Sequence, residues 1–413
     1  MSQSVEDVSQ PAESSQSLAV ATSESARQRR KIAALEEKLQ VLESGHAVKV
    51  RETNYYMSKG RAIRRIVTLF DTIEDLIFKN DRRCDLGDED DNVTLESQGL
   101  NSSLMWFIVT VRSVCNSGTL PLILPFHGFT RRLQNMEYDD YSHMLKKLRQ
   151  GADASRGDDT SKLKNLIADW VNHELKPNPP VDPEDKHHRG FGNDACGRLL
   201  CPTELDWTNP TVRAGIRDCA DGYVVTEMSW PAFLYKKYSA DQDNLEKGLF
   251  KSTLLLQAFK AIFTSPSSTK DVTGEGDGAN VIENNRRAKK DFNSGKRVKT
   301  HVAQIIKMRK VTPRSIAYVS CQLQFALSSV TSWRSVDGDF DYVPFWQNIV
   351  DFFEQPPGRA AQQKVDQLLA WWTRKIFGTS RRVELTDGAK AKMSVNALAR
   401  QRAQLDDTMF DSE

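Results

Sequence analysis

The chain has 413 residues, room for one large or two ordinary domains, and its 39% hydrophobic and 27% charged residues divide it into folded part and solvated tail. Against 57 basic side chains stand 55 acidic ones, a formal charge of +2; this excludes a uniformly basic nucleic-acid binder but not a local patch. The longest apolar run, "LMWFIVTV" at 104–111, falls short of the roughly 18 residues a membrane span needs, so no membrane partner is expected.

Residues 1–25 are rich in Ser, Gln, Glu and Ala, with almost no large apolar side chains. Burial cannot offset the entropy of ordering them, and a disordered tail is expected. The opening "MSQSVEDVSQPAESSQ" has neither a basic nor an apolar signal region, so no secretory leader is expected. In "RQRRKIAALEEKLQVLESG" (27–45), Ile32, Leu35, Leu39 and Leu42 stand at a, d, a, d spacing. Two heptads are fewer than the roughly three to four of a firm coiled coil. Residues 26–48 are therefore expected to form a short helix that packs on its own core or pairs weakly as a homodimer, and the basic lead-in resembles that of a basic zipper.

From residue 50 to 378 the pattern is that of a helical core. In "GRAIRRIVTLFDTIEDLIFKND", Ile63, Ile66, Val67, Phe70, Ile73 and Ile77 share one face, with Arg64, Arg65, Glu74 and Asp75 mostly off it. "LNSSLMWFIVTVRSVC" (100–115) is apolar nearly all round and reads as a buried helix. "DDTSKLKNLIADWVNHEL" (158–175) offers Asp159 or Thr160 as N-cap, then Leu163, Leu166, Ile167 and Trp170 inward. "NLEKGLFKSTLLLQAFKAIF" (244–263) is the most apolar helix and is expected in the middle of the fold.

"TPRSIAYVSCQLQFALSSVTSW" opens with Thr312 as N-cap and Pro313 at the first helical position, where a missing N–H costs nothing. Its inward face is Ile316, Val319, Leu323, Leu327 and Val330. "VPFWQNIVDFFE" repeats the proline device at Pro344. "AAQQKVDQLLAWWTRKIFG" (360–378) turns Ala361, Val365, Leu368, Leu369, Trp372 and Ile376 inward and ends at Gly378. No run of alternating strands and no internal repeat occurs. The expected fold is all-α: an irregular helical bundle with disordered N- and C-terminal tails and a long basic loop.

Two stretches interrupt the bundle. "KPNPPVDPEDKHHRGFGND" (176–194) reads as a long connection, and 265–297 as an exposed loop, partly disordered over 265–300. Beyond Gly378 the polar tail, 379–413, carries one short helical pattern in "MSVNALARQRAQL".

Several blocks in order, "GRAIRRIVTLFDTIEDLI", "GADASRGDDTSKLKNLIADWVN", "RGFGNDACGRLLCPTELDW", "WPAFLY", "GLFKSTLLLQAFKAIFTSPSS", "VTPRSIAYVSCQLQFALSS" and "WRSVDGDFDYVPFWQNIVDFFE", resemble an uncharacterised family of mushroom-forming (basidiomycete) fungi, a domain of unknown function. The likeness covers roughly residues 50–378. It implies no activity, cofactor or catalytic residue. "GRLLCP" around Cys201 belongs to its pattern, whereas Cys196 and the His187–His188 pair do not.

The densest chemistry lies in "HHRGFGNDACGRLLCPTELDW" (187–207). Zinc needs four converging N/S ligands, commonly spaced C-x2–4-C and H-x3–5-H. Cys196 and Cys201 stand at the loose end of that spacing, and His187 and His188 are adjacent. Core-edge packing for Cys201, Leu199 and Leu200, with the histidines in solvent, accounts for them more simply. Cys201, before Pro202 and near Arg198, is the candidate nucleophile if its thiol is acidified; a buried, inert thiol is the expectation. Asp337, Asp339 and Asp341 begin like a calcium loop, but Tyr342 and Asn348 stand where Gly and Glu are needed. "GDEDD" (87–91) reads as a solvated loop. Phosphate-loop, dinucleotide, zincin and serine-hydrolase motifs are missing. No cofactor is expected.

Six cysteines dispersed over a long chain point to a reducing, intracellular compartment. Between Arg286 and Arg314 eleven basic residues face one acid, Asp291. Arg286, Arg287, Lys289, Lys290, Lys296, Arg297 and Lys299 form two clusters around a short spacer. They resemble a bipartite nuclear-import signal read by an import carrier; the same segment could instead stay unpartnered in solvent or, less readily, neutralise the phosphates of a nucleic acid. The functional expectation is a non-enzymatic intracellular binding or scaffold protein with an unknown protein partner, nuclear through 286–299. The alternatives are a metal-binding or cysteine-dependent enzyme using 187–201, and a non-specific nucleic-acid-associated protein.

Overall fold

The computed structural model describes residues 53–76, 137–264, 301–306, 308–378 and 386–410, with Gln28, Lys31, Ile32, Leu35, Glu36, Leu39, Val50 and Thr269. The buried helix expected at 100–115, the acidic run at 87–91 and the basic clusters of 286–299 lie outside the described residues.

Helix α1 (53–66) stops where the Ile63 carbonyl accepts both the Val67 and Thr68 amides. Thr72 and Asp75 then cap each other reciprocally: the Asp75 amide donates to Thr72 Oγ1 at 3.0 Å and the Thr72 amide to Asp75 Oδ2 at 3.2 Å. That exchange starts a new helical turn at 73–76. The single face expected from Ile63 to Ile77 is thus two short faces; Ile77 itself lies outside the described residues. Arg64 and Arg65, expected off the apolar face, are both buried.

Helix α2 (Tyr138–Leu175) runs 38 residues and ends on Lys176 in the left-handed region. It continues straight through the expected start at Asp159 and Thr160. Asp159 is buried mid-helix, its carboxylate held by Arg65 and Tyr318 instead of by backbone amides. Thr160 donates back to the Arg156 carbonyl, the usual mid-helix outlet for a hydroxyl.

Where α1 crosses α2 the backbones touch. A Cβ at Gly60 would sit 1.9 Å from the Leu148 carbonyl oxygen, and one at Gly151 would sit 2.2 Å from that of Met57. Only glycine fits at either position.

Two short helices follow the proline-rich connection. Helix α3 (Asp194–Leu200) is capped by the Asn193 side chain, and α4 (Pro210–Arg217) by Asn209 with proline at its start. Helix α5 (Thr253–Phe263) begins at a Ser252 cap, nine residues later than the pattern suggests. Gly248 and Phe250 both adopt positive φ and break the preceding stretch. The bulky Phe250 is held there by its surroundings. Its ring packs on Trp230, Phe352 and Phe353, and its carbonyl accepts the Trp372 indole N–H at 3.0 Å.

Helix α6 (Val302–Ile305) packs on α5. Helix α7 (Pro313–Leu327) starts as expected at a Thr312 capping box with Pro313 in its first turn. Every one of its residues is buried among α2, α3, α5 and α8. It ends at Leu327, before Val330.

A two-stranded hairpin, β1 (Val336–Asp337) and β2 (Phe340–Asp341), pairs antiparallel with Val336 opposite Asp341. Asp341 then caps α8 (Tyr342–Glu354). Pro344 therefore sits in the third helical position, two residues later than expected. Helix α9 (Arg359–Phe377) buries Val365, Leu368, Trp372 and Ile376, leaves Ala361 and Leu369 half-buried, and stops at Gly378 with φ 78°. Helices α10 (Asp387–Lys392) and α11 (Ser394–Phe410) follow, and none of their described side chains is buried. The fold is an irregular all-α bundle wrapped around α7. Among the described residues no helix is long and apolar enough to cross a membrane.

Candidate functional site

The last turn of any helix leaves carbonyl oxygens without backbone donors, and its dipole favours cations there. At the end of α7 the connection after α2 supplies two. Lys186 Nζ donates to the Phe325 carbonyl at 2.6 Å and also to that of Val330, and stands 3.5 Å over the Phe325 ring. Arg189 donates to the Ala326 carbonyl at 2.9 Å and, from its other amino group, to the carbonyls of Asp182 and Pro183. Both side chains are buried, at 4% and 1% exposure. Asp182 shapes the approach by accepting the Glu184 and Asp185 amides. The segment is a double cationic cap on the central helix.

Burial, with Arg189 and Lys164 adding like charge, pulls the Lys186 ammonium down to about 7 from its ordinary 10.5, while Asp337 and Cys196 oppose the fall. Burial also raises Asp337, against the pull of Arg334 and Lys186. The sign follows directly. Between pH 7 and 10.5 the unfolded chain holds a proton on Lys186 that the folded chain lacks, so this group makes stability rise with pH from about 7. Below that value it contributes no further change. Above 9 the buried thiols act the other way, because their folded values are raised and unfolding releases their protons.

Lys186→Met should therefore destabilise increasingly as the pH rises above about 7, because the thiols are common to both chains and cancel in the difference. That loss should shrink towards pH 7 by at most ~1.4 kcal/mol per pH unit. Urea denaturation of both chains at pH 7, 8 and 9 checks it; a pH-independent difference would refute the assignment.

The cysteine and histidine candidates do not converge. Cys196 is buried in the main core, and Cys201 in a separate small cluster with Trp207, Val212 and Ile216. His187 and His188 are exposed, and His188 Nδ1 meets Asp185 at 2.7 Å. Among the described residues no three His, Cys, Asp or Glu side chains group as a metal site. Nor is Cys201 acidified. Burial, with Glu204 and Asp206 nearby, pushes its thiol up to about 12. Burial likewise pushes Cys196 up to about 11 against the pull of Arg189. Cys219 is exposed just past α4. Of the three aspartates in 335–342, Asp341 is spent as a helix cap.

What the spacing missed is a polar stripe on the buried helix α7, at Arg314, Tyr318 and Gln322, one turn apart. Arg314 makes a bidentate pair with Glu354, both bonds 2.9 Å, and donates to the Val67 carbonyl at 2.8 Å. It is therefore a core residue and no part of an exposed basic run. Burial raises the Glu354 carboxyl, against the pull of Arg314. Tyr318 donates to Asp159 at 2.9 Å, and Asp159 also takes a bidentate pair from Arg65 at 2.7 and 3.0 Å. Burial opposes charge on Arg65, but Asp159 outweighs it and leaves the guanidinium above its ordinary value. The Gln322 side-chain amide meets the Thr160 hydroxyl at 2.9 Å. The buried charges of Arg65, Asp159, Arg314 and Glu354 are thus paired with one another.

Residues 150–377 match the model of a family of unknown function (DUF6698). No curated protein and no solved structure matches the chain.

Proposed function

We propose that this chain, which belongs to that family of unknown function, is a non-enzymatic intracellular binding or scaffold protein. In this reading the basic segment Arg286, Arg287, Lys289, Lys290, Lys296, Arg297 and Lys299 carries it into the nucleus and meets an import carrier. The observation behind it is the concentration of charge: these seven cations share 286–299 with one acid, Asp291, in a chain of net +2. Two features support the rest. The buried ion pairs and the Lys186–Arg189 cap hold helices together, and the four described cysteines are free thiols, in keeping with a reducing compartment. The block pattern of 50–378 supports an origin in mushroom-forming fungi.

Helices α5 and α6, which flank the segment in sequence, pack on each other, so the ends of a shortened connection stay close. A fluorescent fusion of the whole chain is expected in the nucleus, and the same fusion lacking 286–299 in the cytoplasm, with thermal unfolding unchanged. An identical distribution of the two fusions would remove the import reading. Were the segment instead a phosphate contact, duplex affinity of the purified chain would fall steeply with salt, by a slope near the number of cations engaged.

A further inference from the structure

Ile32, Leu35 and Leu39 lie in helical residues and are 54%, 63% and 57% exposed. A face of this kind, with one large aliphatic residue at each a and d position, does not remain in water without cost. Charge says what covers it. With Ile32 and Leu39 at a, and Leu35 and Leu42 at d, the g positions are Lys31 and Lys38 and the e positions Glu36 and Glu43. In a parallel pair each g side chain faces the e side chain five residues on in the other strand. Lys31 then faces Glu36 and Lys38 faces Glu43, in both directions across the twofold axis. An antiparallel pair would instead set Lys against Lys and Glu against Glu. Lys31 and Glu36 are both exposed on the described part of this helix and free to reach across. Isoleucine at a with leucine at d, as in the first heptad, is the combination that favours two strands.

We infer that the helix bearing Lys31, Ile32, Leu35, Glu36 and Leu39 pairs, parallel and in register, with a second copy of this chain. With about two heptads the association is weak and concentration-dependent.

Sedimentation velocity of the full chain from about 10 µM to about 500 µM should show the average mass climbing towards twice the monomer, a range suited to so short a zipper. Reversing the g positions with Lys31→Glu and Lys38→Glu should weaken association by about tenfold or more, and adding Glu36→Lys and Glu43→Lys should restore it. Thermal unfolding of the core should not change in either variant. Orientation is read by Leu35→Cys in a Cys219→Ser background, with the background alone as control. Diamide should cross-link Leu35→Cys to itself. A monomer throughout the concentration range, an association indifferent to the charge reversal, or cross-linking confined to a mixture of Leu35→Cys with Leu39→Cys would each overturn the parallel pair.

Discussion

Replacing Asp159 by alanine should lower the unfolding free energy by about 3–5 kcal/mol, because it strands the Arg65 guanidinium inside the bundle without its counter-charge. Asp159 is 1% exposed and Arg65 4%, and together with Tyr318 they tie α1, α2 and α7 at a single point. Asparagine at 159 keeps an acceptor for Tyr318 but not the charge, so Asp159→Asn should fall between alanine and the natural chain. Most of the penalty belongs to the unpaired ion and little to the lost pair. The double change Arg65→Met with Asp159→Leu should therefore recover the larger part of the loss, since matched apolar groups can replace a buried ion pair at little cost. Guanidinium denaturation of the three variants, fitted to a two-state transition, provides the comparison. A double variant as unstable as Asp159→Ala would contradict the assignment.

The second large effect is expected at the crossing of α1 and α2. Gly60→Ala or Gly151→Ala should each cost about 3 kcal/mol or more, because the new methyl group meets main chain, which cannot rotate aside as a side chain can. A methyl carbon 1.9 Å from the Leu148 oxygen, or 2.2 Å from the Met57 oxygen, leaves only separation of the helices as relief. Both substitutions force the same separation, so the pair together should cost little more than one alone. Hydrogen exchange should localise the damage: the amides of 53–66 lose protection, while those of α7 keep more of theirs. Additive losses from the two alanines would rule out a shared contact.

How much of this was legible beforehand depends on how local the cause is. The Thr312 cap with Pro313 and the Gly378 stop are set by neighbours in sequence, and the pattern finds them. Helical periodicity also gives the all-α class and the aliphatic face of α7. It fails where a partner is remote. Arg65 reads as a solvent residue until Asp159, 94 positions away, is placed beside it. The same pairing turns Asp159 from a plausible cap into the middle of a longer helix.

Residues 244–252 look helical by composition, and only the positive φ of Gly248 and Phe250 ends that expectation. In the candidate site the conspicuous groups are the sulfur and imidazole of 187–201, while Lys186 and Arg189 do the structural task. One signal was available. A fully apolar helix end at Phe325–Leu327 needs donors from elsewhere, and Lys186 and Arg189 are cations that the connection after α2 offers. Gly60 and Gly151 offered another, since glycine inside a helix weakens it unless a close neighbour requires the missing side chain.

The contact between α5 and α6 has a practical sequel. Closing a loop costs only about 0.6 kcal/mol for each doubling of its length, so sequence added between Thr269 and His301 should cost the two helices that flank it little. An epitope, a fluorescent reporter or an entire foreign domain with neighbouring termini could be spliced in there, leaving the helices around α7 in register.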